Sequence, residues 1–196
     1  MLTRVLAGVC ALAVWGVVPA VARGEPLDYG VVDTSRVPVP QQAQTCPSPE
    51  PGPGRQLVSS GGTDVPVVAV LAPDGWTAQG AALTGPAGMS ASITVTPTDL
   101  GPAQAFESYA DAVQDKAPIS SLSILPAELC GYSGQEFRGM WSGAGDPPVD
   151  YRDRLLHVWT EGPSYLVVVH VEGPQGAPGL DAAQELITDQ VGIRLP

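Results

Sequence analysis

The segment Tyr165-Leu-Val-Val-Val-His-Val171 is apolar on both of the faces that a strand presents. Successive side chains of a strand point to opposite sides of its sheet, so such a run has to be covered above and below. It is therefore read as a central strand lying between two layers, and the rest of the chain must supply them. Val149–Thr160 precedes it as a hairpin partner, joined through Glu161-Gly-Pro-Ser164. Upstream, the β-branched run Val65–Leu71 ends at Ala-Pro-Asp-Gly75, a turn signature followed by Trp76. Ala81–Leu83 reads as a short strand, Ser90–Thr96 as an alternating one, and Ile119–Leu125 and Cys130–Trp141 as two more.

Two segments carry helical spacing. Gly101-Pro102 opens one, with proline at its first position, and Phe106, Tyr109, Ala110, Val113 and Ala117 form a single apolar stripe before Pro118 stops it. In the other, Asp181–Val191, the inner face is Leu180, Ala183, Leu186, Ile187 and Val191. Strands, a helix, more strands and a closing helix predict an α+β fold, with a mainly antiparallel sheet packed by two or more helices.

Residues 23–64 have a different texture. Pro38, Pro40, Pro47, Pro49, Pro51 and Pro53 exclude helix and central strand, and the segment reads as extended and Pro/Gly-rich with little to bury. The division expected is residues 1–22, 23–64 and a folded domain over 65–196. Arg4, the apolar run Val5–Val18 and Ala20-Val21-Ala22 together make a secretory signal with cleavage after Ala22. Cys10 follows Leu6-Ala7-Gly8-Val9, where a lipobox needs a small residue in place of Val9, so no lipid anchor is expected. No stretch beyond the signal is long and apolar enough to span a membrane. The chain is thus expected to be secreted or to reside in the cell envelope. Two cysteines remain, Cys46 and Cys130, and even parity in an exported chain predicts that they pair.

The formal net charge is −11, Lys116 is the only lysine and asparagine is absent. Such a chain repels phosphate backbones, which excludes nucleic acid as a partner, and it has no N-glycosylation acceptor. The side chains offer four candidate chemistries. A four-residue loop over 161–164 sets His157 opposite Val168 and makes His170 its diagonal neighbour, but two imidazoles fall short of the three or four ligands a metal needs. Ser133 in Gly131-Tyr-Ser-Gly134 lacks the final glycine of a nucleophile elbow, because Gln135 stands there. Cys130 as a nucleophile competes with the disulfide. Asp150 and Asp153 are an acid pair near in sequence only. No catalytic residue, metal ligand or cofactor is assigned, and an enzymatic reading requires at least three of Asp150, Asp153, His157, Ser133 and Glu136 in one pocket. Among the tryptophans, Trp76 is read as core, and Trp141, before a Gly/Pro loop, is the candidate for partner contact.

Pro73-Asp-Gly-Trp76, the helix with Phe106 and Tyr109, Gly131-Tyr-Ser-Gly-Gln-Glu-Phe137, Tyr165-Leu-Val-Val-Val169 and Asp181-Ala-Ala-Gln-Glu-Leu-Ile187 occur in an order that resembles the LpqN/LpqT family of exported actinobacterial envelope proteins. The resemblance covers roughly Val65–Pro196. It implies a PsbP-like α/β sandwich and a non-enzymatic envelope or secreted protein, and it transfers no site residue. Members are often lipoproteins; the missing lipobox and the proline-rich leader with Cys46 are departures from the pattern. The function expected is an exported binding or interaction protein whose partner is a protein or an envelope glycolipid. The alternative is a hydrolase or carrier acting on envelope glycans or lipids.

Overall fold

The computed structural model describes residues 30–145 and 147–196. The signal segment, with Cys10 and Ala22, lies outside the described residues. In chain order the elements are β1 (Gln44–Cys46), β2 (Gln56–Ser60), β3 (Val67–Ala72), β4 (Thr77–Gln79), β5 (Ala82–Thr84), β6 (Ser90–Thr98), α1 (Pro102–Gln114), β7 (Ile119–Leu129), β8 (Tyr132–Ser142), β9 (Val149–Trp159), β10 (Ser164–Pro174), α2 (Leu180–Asp189) and β11 (Gly192–Arg194). The strands form two sheets, ordered β1-β11-β3-β2 and β4-β5-β6-β10-β9-β8-β7. All pairings are antiparallel.

The doubly apolar segment lies at the middle of the larger sheet, as its composition demands. Val167, Val169 and Val171 face a core shared with β3, α2 and β11, through Val68, Val70, Ile187 and Ile193. On the opposite side Val168 joins Phe106, Ala110 and Val113 of α1, together with Phe137 and Leu155. The order of layers is thus α1, the seven-stranded sheet, and then α2 with the four-stranded sheet. The smaller sheet is the part that periodicity did not show.

The proline-rich leader is extended but not idle. It supplies β1 and β2, both at rims of the smaller sheet, where the prolines between them cost no ladder bonds. Backbone bonds from Gln42 N to Pro196 O and from Leu195 N to Ala43 O sew it to the end of the chain. Cys46 is buried and is bonded to Cys130 in the turn between β7 and β8.

Glycine is needed where β7 and β8 approach Tyr151. A Cβ at Gly139 would stand 2.0 Å from the Ser121 carbonyl oxygen and 2.5 Å from the Tyr151 hydroxyl. That hydroxyl donates to the same carbonyl at 3.1 Å. Gly139→Ala is therefore expected to break the bond and force the strands apart, costing about 2–3 kcal/mol in urea unfolding. A change under about 0.5 kcal/mol would show that the strands separate freely here.

Candidate functional site

The hairpin register decides which polar groups meet. Thr160 Oγ1 accepts from Gly162 N at 3.0 Å and donates to Pro163 O at 2.8 Å, which draws Thr160 into the loop. The four loop residues are therefore 160–163, and the first pair is Trp159 with Ser164. This moves the register by two positions from the expected one. His157 lies opposite Leu166, and His170 lies opposite Asp153. The two histidines keep a common face but are not diagonal neighbours, so the sequence-based pairing is corrected.

A chain of polar contacts runs across that face beneath α1. Asp153 is fully buried. Its Oδ1 contacts His170 Nδ1 at 2.5 Å, and its Oδ2 accepts from the Tyr109 hydroxyl of α1 at 2.9 Å. His170 Nε2 lies 3.2 Å from Glu172 Oε2. Glu172 also accepts from Lys116 Nζ at 3.3 Å and from Ser90 Oγ at 3.3 Å. Burial pushes the His170 imidazole down, but the bonds to Asp153 and Glu172 and their charges outweigh it and lift it to about 9. The same contact with His170 holds Glu172 at about 2, outweighing the upward push of burial, and Lys116 adds to the lowering. Burial raises the Tyr109 hydroxyl, and Asp153 raises it further. The result is an imidazolium donating from both nitrogens to two carboxylates. With no free lone pair it has no capacity to accept a proton as a base.

Trp141 closes this chain on one side. Its ring stacks on Tyr151 with centroids 4.2 Å apart and lies near-parallel to His170 at 5.7 Å. Lys116 Nζ stands 3.5 Å from the centroid of the same ring. Only 8% of Trp141 is exposed, so it does not offer the open ring expected of a contact residue; its packing against Tyr151 and Lys116 takes that surface. It does line two hollows. One, of about 440 Å³, is bounded by Trp141, Pro147, Pro148, Val149 and Pro174 and is mostly apolar. The other, of about 280 Å³, is bounded by Ser92, Thr94, Tyr109, Lys116, Trp141 and His170.

No three of the five candidate groups for hydrolysis converge in one pocket. Ser133 Oγ donates to Val32 O at 2.6 Å and contacts Thr34. His157 Nε2 donates to Leu100 O at 2.9 Å, and burial holds its imidazole below the ordinary value. Four residues at ~3.3 Å each put it about 13 Å along β9 from Asp153. Glu136 lies on the opposite face, among Arg138, Arg152 and Arg154. Burial opposes its ionisation, but those arginines keep it below the usual carboxylate range. Asp150 accepts from Gln175 at 3.2 Å. Arg152 and Arg154 also reach Asp189 at 2.8 Å each, tying β9 to the end of α2. Among the described residues no group of three or more His, Cys, Asp or Glu is arranged to hold a metal ion.

Neither a protein-family model nor a curated protein matches the chain. Among solved structures it is similar to the crystal structure of LpqN, described as involved in cell envelope biogenesis of Mycobacterium tuberculosis. The TM-score is 0.58 at 16% identity, and the match covers 71% of this chain and 91% of that one. At the level of fold the chain is LpqN-like, as the order of its packing motifs implied.

Proposed function

We propose that this chain is an exported, non-catalytic binding protein of the cell envelope, and that it holds an envelope glycolipid where the two hollows meet at Trp141. The observation that carries this reading is that two mainly apolar hollows share Trp141 as a wall, and that one of them also presents the polar groups of Ser92, Thr94, Tyr109 and Lys116. Acyl or other apolar groups suit the Pro147, Pro148 and Val149 side. Sugar hydroxyls suit Ser92, Thr94, Lys116 and the Tyr109 hydroxyl. The double commitment of His170 and the dispersal of the other candidate groups support binding without chemistry. A likeness in fold to a protein involved in envelope biogenesis favours the same setting. The disulfide fits an oxidising compartment, and no helix among the described residues is long and apolar enough to cross a membrane.

Native mass spectrometry of the protein mixed with an envelope glycolipid fraction is the test. A discrete adduct is expected, with its affinity weakened at least about tenfold by Pro147→Asp, which places a charge on the exposed rim of the apolar hollow. An adduct unaffected by that substitution would place binding elsewhere. Release of sugars or fatty acid from the fraction would replace this reading with the hydrolytic one.

A further inference from the structure

β7 is the outermost strand of the larger sheet, eleven residues long, and no strand of the described residues lies along its outer side. Natural sheet edges are guarded against pairing with another chain by lysines, inward charges, prolines or bulges. From Ile119 to Leu125 the strand has no charged residue and no proline, and its register with β8 runs without a bulge. In a chain of net charge −11, an uncharged edge allows two copies to approach without opposing carboxylates. The opposite rim, β4, is only three residues long. The described part of the leader meets this region at Pro126 and Ser133, and Val31 packs, with Leu122 and Ile124, against the core cluster on the α1 side of the sheet.

The side chains point to the occupant. Ile119 and Leu125 are 57% and 45% exposed, two of the five exposed large apolar residues among the described residues. They lie on one face of β7, six positions apart, with Leu122 midway. A two-fold antiparallel pairing centred on Leu122 sets Ile119 opposite the partner's Leu125, and Leu125 opposite the partner's Ile119. Ser121 then faces the partner's Ser123, and Ser120 the partner's Ile124. The stretch is self-complementary: both exposed apolar side chains are covered, and the outer backbone groups gain ladder bonds. We propose that the chain associates with a second copy of itself through β7, joining the two larger sheets into one continuous sheet. The interface is a single strand pair, so association is weak, with dissociation in the micromolar range or above.

Sedimentation velocity of the disulfide-bonded chain, from low to several hundred micromolar, is the test, with pairs of charge substitutions fixing the register. Ile119→Lys alone and Leu125→Glu alone should each be monomeric throughout. An equimolar mixture of the two variants should regain the dimer, because the new ammonium then faces the new carboxylate across the two-fold axis. Ser123→Lys is a third charge substitution, at an exposed position of the same edge, and should also abolish association. Circular dichroism establishes that each variant is folded. A wild-type chain that stays monomeric at every concentration, as when another segment occupies this edge, overturns the proposal. So does a dimer that survives Ser123→Lys, or variants that fail to recombine on mixing.

Discussion

Replacing Cys46 and Cys130 together by alanine should lower stability by about 4 kcal/mol. The bond closes a loop with a sequence separation of 84. On the chain-entropy view the unfolded ensemble regains most of that freedom when the link is cut. For a domain of this size the melting temperature should fall by roughly 10 °C. Cys130 has φ 54°, so alanine there meets the same left-handed backbone cost as cysteine, and apart from the buried sulfur lost at Cys46 the comparison reports the cross-link. Folded-state effects should concentrate in the leader. Without the bond, β1 is held by its short pairing with β11 and by the two backbone bonds to Leu195 and Pro196. Limited proteolysis should therefore cut within 40–54 in the variant and spare that segment in the oxidised protein. A melting temperature within about 2 °C of the parent, with the leader still protected, would show that packing rather than the cross-link holds the leader down.

Much of the larger sheet is legible from period and punctuation. Tyr165–Val171 announces a strand covered on both sides, and Pro102 and Pro118 bracket α1. The smaller sheet is hidden because its strands carry almost no period. β1 and β11 have three residues each, and β2 buries only Val58. What makes them strands is tertiary: the disulfide, β3 between them, and the return of the chain's end. The polar chain under α1 was missed for a more local reason. Glu172 lies two residues beyond His170, and Asp153 was already a candidate, so all three acid–base residues were in view. Moving the hairpin loop by one residue, through the Thr160 hydroxyl, shifts the pairing by two positions and alone determines that His170 meets Asp153. Composition cannot resolve a shift that keeps every side chain on its own face.

Asp153→Asn is the substitution that tests this chain of contacts. The amide keeps the size of the side chain but removes the buried negative charge, so the Tyr109 hydroxyl and His170 lose their common ionic acceptor. Breaking a buried ion pair from one side costs about 3–5 kcal/mol, and the near-isosteric amide should bring the loss at pH 7 to roughly 3 kcal/mol. The pH dependence gives the sharper signature. His170 stands at about 9 in the folded chain against an ordinary 6.5, so its contribution is complete below pH 6.5 and is lost as pH rises through 9. Glu172 stands at about 2 against 4.5, so its contribution is present above pH 4.5 and disappears as pH falls towards 2. His157, held below 6.5 by burial, adds to the acid limb, because the unfolded chain takes up the proton that the folded one refuses. Stability should accordingly be highest between about pH 5 and 7 and fall on either side. On the alkaline limb, the loss is on the order of 2 kcal/mol, since His170 and Glu172 share one contact and both reach solvent. In the Asp153→Asn chain burial still pushes the imidazole down while only Glu172 holds it up. Its NMR titration midpoint should fall well below 9, and the alkaline limb of the stability profile should move with it. An unchanged midpoint would mean that Glu172 alone sets the charge of His170, and that Asp153 is held in place by Tyr109.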